Sequence, residues 1–238
     1  MLLYDVDSMS KGGLMYDYMY FVVLIASIVL GLGAQALINA QYSKYMKVPI
    51  STGLTGAQAA RWMLDANGCS HIPIQMIQGK LSDNFDPRTG IVSLSEAVYN
   101  GRTVAATAIA SHECGHAIQH ATNYAPTKAR TLLFPVVNIA NNLWVIVLFM
   151  GFALAMMELI WLAVVMFSCV LLFQLITLPV ELNASARASA YISMGGYLPE
   201  HEVKGTRRVL NAAAMTYVAG ALVSVLQLLR ILSYTKRR

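Results

Sequence analysis

The chain predicts a mainly α integral membrane protein, with about four transmembrane helices around a helix that carries His112-Glu-Cys-Gly-His116 and a small β-hairpin beside it. Three observations lead there. The mean hydropathy is +0.54 and 57% of residues are hydrophobic, too apolar for an ordinary soluble domain, and the 12% of charged residues is about half the usual share. Four stretches, 18–40, 134–157, 159–178 and 209–232, come close to the roughly 20 apolar residues that a helix needs to cross a bilayer. The one long polar segment, 41–130, mixes helical and alternating patterns and contains the motif. The whole is read as one membrane-embedded domain, 1–238.

Residues 1–17 carry Asp5, Asp7 and Asp17 against Lys11, and the run 18–40 follows. A secretory signal would start basic and have a shorter apolar core, so the run reads as a retained anchor. Ala34-Gln-Ala36 lies too deep in the run for a cleavage site. Thr55 begins a helix of amphipathic spacing that ends at Gly68, a C′ residue. Ile72–Gly79 and Ile91–Ser95 alternate like strands, and the turn chemistry of Asp83–Gly90 between them predicts a hairpin. Its edge around Ile91–Ser95 is a candidate for holding an extended peptide. An alanine-rich helix from about Arg102 to Ala121 comes next.

Between Thr131 and Val180 the sole charge is Glu158, which marks the turn between two spans. Asn138, Asn141 and Asn142 near the start of the first, and Gln174 near the end of the second, are expected to make interhelical hydrogen bonds, or to line the site. The segment 181–208 is broken by Gly195-Gly196 and Pro199, and the last span, 209–232, has a small-residue packing face at Gly220 and Ser224.

His112 and His116 lie four residues apart, which on a helix is about 40° of rotation, so both imidazoles reach one zinc ion. Glu113 is placed to take a proton from a water on that ion. Cys114 is about 200° away and faces elsewhere. Cys69, Cys114 and Cys169 are odd in number and widely spaced, which reads as free thiols. A catalytic zinc takes three protein ligands and keeps a position for water. If 134–178 is a membrane hairpin, the chain returns to the motif side at Pro179, and the first acid there is Glu181, the expected third ligand. Its alternative role is a boundary carboxylate paired with an arginine such as Arg187. Competing ligands are His120, Glu200, His201 and Glu202. His120 is eight residues from His112, not the ten of the metzincin spacing, and is read as a supporting or interfacial histidine. His71 is read as structural or solvated.

The net charge of +5 is explained by basic residues beside the spans. All twelve Lys and Arg residues from Lys44 to Arg208 fall on the motif side, so that side is expected to be cytoplasmic, in the cell membrane, with the N-terminus outside. Four full crossings leave Lys236-Arg-Arg238 on the outer side, against the rule; a full crossing is still the reading. There is no nucleic-acid motif and no phosphate-binding glycine loop. The candidate ligands cluster at one end of the spans, not at mid-membrane, which argues against a metal transporter.

At these residues the chain resembles the membrane-bound neutral zinc metallopeptidases of bacteria, the YugP type. The matching blocks are Ser51–Ala57, Asp86-Pro-Arg-Thr89, His112–His120, Phe173–Glu181 and Val209–Ala214, spread over nearly the whole chain. The resemblance implies peptidase activity with one Zn²⁺ per chain. More distantly the chain is similar to the membrane gluzincins, the heat-shock membrane protease and CAAX prenyl protease type, whose second motif is Glu-x-x-Ala-Asp. Here Glu181-Leu-Asn-Ala-Ser185 aligns with it, so Glu181 matches the ligand and Ser185 stands where the relatives have an orienting aspartate, with Asn183 a possible substitute. The expected activity is zinc-dependent hydrolysis of membrane-associated polypeptides, with the bilayer as the other partner. Candidates for the oxyanion donor are Tyr217, Tyr191, His201 and Arg187. The competing class is a zinc-binding membrane scaffold that does not turn over.

Overall fold

The computed structural model describes residues 6–194 and 198–235, with the side chains of 21–194, 198–233 and 235. Gly195-Gly196, the Lys236–Arg238 tail and the Lys11 side chain lie outside the described residues. Seven helices and three strands follow in the order α1 (Val6–Tyr45), α2 (Gly56–Ala66), β1 (Ile74–Ile77), β2 (Asn84–Asp86), β3 (Ile91–Ser95), α3 (Glu96–Tyr99), α4 (Val104–Ala121), α5 (Ala125–Ala153), α6 (Met157–Met194) and α7 (Glu200–Thr235).

Four of these, Phe21–Tyr45 of α1 with α5, α6 and the Glu200–Ser233 part of α7, are long and apolar enough to cross a membrane. α5 packs on α6, α6 on α7 and α7 on α1. Glu158 stands in the first turn of α6, immediately after the tight α5–α6 connection. Asn138, Asn141 and Asn142 are exposed along α5, not buried between helices as expected. The apolar contacts of α5 with α6 are made instead by Val137, Ala140 and Leu133 with Val170, Met166 and Phe173.

The second membrane helix of that pair is much longer than the stretch 159–178. Pro179 does not end it. A proline removes one backbone donor and crowds the carbonyl four residues earlier, which membrane helices tolerate when neighbours support the backbone. Here the continuation beyond Pro179 is held by burial: Val180, Glu181, Ala184, Ser185 and Ala188 are all buried against the motif helix and its surroundings. At 1.5 Å per residue, the 38 residues of α6 extend about 57 Å, nearly twice a hydrocarbon core. Glu181 is therefore a helical residue, and the segment 181–208 is mostly the end of α6 and the beginning of α7.

α2 starts as expected. Thr55 Oγ1 accepts from Gln58 N at 3.2 Å and Gln58 Oε1 accepts from Thr55 N at 2.9 Å, a reciprocal cap. Gly68 follows the helix at φ +71°, where a side chain would be strained. Met63 and Leu64 of α2 join Val92, Leu94, Val98 and Cys114 in the core outside the spans.

A small hairpin is formed, but by β2 and β3 across the turn at 87–90, not by Ile72–Gly79 with Ile91–Ser95. β1 and β3 are parallel, with Ile74 opposite Val92 and Ile77 opposite Ser95, while the short β2 pairs antiparallel on the other side of β3. The order is β1-β3-β2. Parallel neighbours need a crossover rather than a tight turn. That crossover contains Asp83, whose carboxylate accepts from Ser95 N at 2.7 Å and Ser95 Oγ at 3.0 Å. β3 is thus the central strand, and Ile91–Ser95 has no free edge for a peptide; the open edges belong to β1 and β2.

α4 runs through the middle of the molecule. Thr103 caps it, accepting from Ala106 N. Its buried side chains are mostly small, Ala105, Ala106, Ala108, Ala110 and Ala117 among them, so α2, α6 and α7 can all pack close. Gly115 shows how close: a Cβ there would lie 2.6 Å from Ala184 O and 3.0 Å from Ala184 Cα on α6.

Candidate metal centre

That contact brings the motif of α4 onto the upper half of α6. His112 Nε2 and His116 Nε2 are 3.2 Å apart, and Glu181 Oε2 lies 3.4 Å from the first and 3.3 Å from the second. A tetrahedral zinc with bonds of about 2.0–2.1 Å requires donor atoms about 3.3–3.4 Å apart. The three separations match that edge length. These three residues form the group among the described His, Cys, Asp and Glu side chains that could hold a metal ion. Glu181 Oε2 is buried and has no hydrogen-bond partner, an orphan acceptor that a cation would satisfy.

The other edge of each ligand is held. His116 Nδ1 is 3.1 Å from Gln119 Oε1. The Gln119 amide is oriented by its own donations, from Nε2 to Val180 O at 2.7 Å and to Asn183 Oδ1 at 3.0 Å, so Oε1 is left as an acceptor. His116 must then carry its proton on Nδ1, and the Nε2 lone pair points at the cluster. Arg187 Nε donates to the same Asn183 Oδ1 at 2.9 Å. Ser185 Oγ lies 3.1 Å from His112 Nδ1 and orients the second imidazole the same way. Arg130 Nη1 donates to Glu181 Oε1 at 3.1 Å, leaving Oε2 for the imidazoles. Such supporting hydrogen bonds fix tautomer and direction around metal ligands.

Glu113 is buried beside the cluster, and burial pushes its carboxyl above the usual carboxylate range, partly offset by the two imidazoles. A divalent cation on the three donors would pull it back down. Tyr217 of α7, one of the four oxyanion candidates, interacts with both Glu181 and Glu113 and shares a hydrogen bond with Glu181. Arg187 is engaged by Asn183, Tyr191 lines a small cleft with Thr107 and Ser111, and His201 is exposed with Nε2 3.9 Å from Glu202 Oε1.

The competing ligands are elsewhere. His120 is exposed, its ring 5.6 Å from that of Phe85. Glu202 is buried, but accepts from Ser51 N at 3.1 Å and Ser51 Oγ at 3.0 Å. Glu200 pairs with Lys204 at 2.7 Å, and His71 is exposed. Cys114 faces away from the cluster, its thiol on Ala60 O of α2 at 3.4 Å. All three cysteines are free.

Gln119 and Arg130 were not singled out from sequence. Gln119 carries a readable signal, since it lies three residues after His116 on the same helix face. Arg130 carries none: an arginine such as Arg187 was named only for the alternative role of Glu181, and it is the packing of α5 on α6 that brings Arg130 to that carboxylate.

The family described as "Putative neutral zinc metallopeptidase" matches residues 20–236. The chain belongs to this family. The "Putative membrane protease YugP" of Bacillus subtilis (strain 168) is 45% identical over 213 residues, 89% of this chain and 95% of the relative. No solved structure matches. The matched region of this zinc metallopeptidase family includes all four apolar helices and the three clustered donors.

Proposed function

We propose that the protein is a membrane-bound zinc endopeptidase of the gluzincin kind, hydrolysing peptide bonds in membrane-associated polypeptides. The reading is carried by the three donor atoms of His112, His116 and Glu181, spaced 3.2–3.4 Å apart like ligands of one tetrahedral zinc. Bound there, zinc supplies Lewis-acid polarisation of the scissile carbonyl and a water whose pKa falls towards about 7.

The protein's own groups do the rest. Glu113, buried beside the three donors, accepts the water's proton and delivers it to the leaving amine. Gln119 and Ser185 keep the imidazoles aimed, and Arg130 keeps the Glu181 carboxylate turned. Tyr217 donates a hydrogen bond to the oxyanion as it develops. Glu181 belongs to a helix continuous with a membrane span, so the reacting centre lies at the membrane boundary. Polypeptides delivered by the bilayer are the substrates this position favours. The basic residues of the motif side favour a cytoplasmic location of the centre, in the cell membrane.

The test is cleavage of a peptide library by the zinc-loaded, detergent-purified chain, wild type against Glu113→Gln. Wild type is expected to cleave, and the variant to keep its zinc and lose about 10²–10⁴-fold in rate. Equal rates refute the role of Glu113. Stoichiometric zinc with no cleavage by either protein favours the scaffold reading instead.

A further inference from the structure

Next to the metal centre, a cavity of about 310 Å³ opens between the β2–β3 turn, the C-terminal end of α4 and the beginning of α5. That volume is at the lower end of the roughly 300–1,000 Å³ of ligand pockets. Its cationic and imidazole side chains come from three different elements: Arg88 from the turn, His120 from α4 and Lys128 from α5. Tyr124 and Thr127 add hydroxyls. No carboxylate lines it. Asp86, which is not a lining residue, accepts from Arg88 Nε at 3.4 Å. Lys128 makes no ion pair among the described residues.

The depth of this cavity relative to the bilayer follows from helix length. About 20 residues of helix cross the hydrocarbon core. Counted back from Ala153, where α5 ends at the far turn, they reach Phe134. Lys128 and Thr131 therefore lie at the headgroup level, and Leu132 is 78% exposed just where acyl chains begin. The cavity is cationic above and apolar below, which is the profile of a phospholipid at the edge of a leaflet.

We propose that this cavity binds the headgroup phosphate of an anionic phospholipid. Arg88 and Lys128 neutralise the phosphate, His120 and the Tyr124 hydroxyl supply further hydrogen bonds, and the acyl chains run down past Leu132. A choline or ethanolamine headgroup fits poorly, because its ammonium would meet two cations and no carboxylate. Gln119, which holds His116, is among the lining residues, so the lipid sits directly behind the supporting hydrogen bonds of the metal centre.

Native mass spectrometry of the full chain tests this, with delipidated protein titrated against phosphatidylglycerol and, separately, phosphatidylcholine. Wild type is expected to retain the anionic lipid preferentially, and Arg88→Gln/Lys128→Gln to bind it roughly 10- to 30-fold more weakly, with no change in the retained phosphatidylcholine. Lys128→Gln alone, at an exposed side chain, gives an intermediate loss even if the double variant fails to fold. Inorganic phosphate is the second probe: its binding at this site without any preference for the anionic lipid would overturn the lipid assignment in favour of a soluble phosphate. Equal retention of phosphatidylglycerol by wild type and variants overturns the site. The readout needs neither zinc nor turnover, so its failure is distinguishable from failure of the peptidase reading.

Discussion

Gly115→Ala puts one methyl group between the two helices that carry the metal ligands. The added Cβ would start 2.6 Å from Ala184 O and 3.0 Å from Ala184 Cα, both backbone atoms with no side-chain torsion to relieve them. A carbon and a carbonyl oxygen settle at about 3.3 Å or more. α4 and α6 must therefore separate locally by about 0.7 Å, between His116 on one helix and Glu181 on the other. Overpacking of this kind costs about 1–3 kcal/mol. A displacement approaching 1 Å at a catalytic centre costs on the order of 100-fold in rate. Gly220→Ala is the control, because a Cβ there meets nothing within 4 Å and a helical glycine replaced by alanine gains roughly 0.5–1 kcal/mol. Thermal unfolding and competition for zinc against a chelator should show a lowered midpoint and weakened zinc affinity for Gly115→Ala, with neither loss for Gly220→Ala. If Gly115→Ala matches wild type in both measurements, the close α4–α6 contact does not set the geometry of the centre.

Two further outcomes follow from named contacts. Ser185→Ala removes the group that faces His112 Nδ1 at 3.1 Å, and should weaken zinc binding by roughly 10–100-fold with the fold intact; an unchanged dissociation constant would show that Ser185 does not orient the imidazole. Burial pushes the thiols of Cys114 and Cys69 up, and the thiolate is the reactive form. Neither should react with a maleimide in the native protein, and both should react once it is denatured, so native labelling at the denatured rate would contradict the packing of α2 on α4.

The spans and the motif helix were legible because their signals are local: apolar runs of membrane length, alanine content, and two histidines one turn apart. The third donor was legible for a coarser reason than the true one. Glu181 was reached by counting crossings, with Pro179 read as the end of a helix, whereas α6 continues through Pro179 because its next turns are buried. The turn residues at Asp86–Gly90 do close a hairpin, but with the three-residue β2, too short to read as a strand, while Ile74–Ile77 reaches the other edge of β3 by the crossover that Asp83 pins to Ser95. Nothing within either strand distinguishes a parallel from an antiparallel neighbour. The exposed Asn138, Asn141 and Asn142 defeat a rule that holds when a span is fully surrounded. Arg130 could not be found at all without the packing of α5 on α6, since its role depends on a partner 51 residues away.

The central claim is that one zinc is held by His112, His116 and Glu181. X-ray absorption at the zinc edge of the purified, zinc-loaded chain tests it most directly. Two imidazole nitrogens and oxygen donors at about 2.0–2.2 Å, with no sulfur, is the expected first shell, and it should be lost when Glu181→Ala and His112→Ala are combined. A sulfur scatterer near 2.3 Å, or an unchanged spectrum in that double variant, would contradict the account.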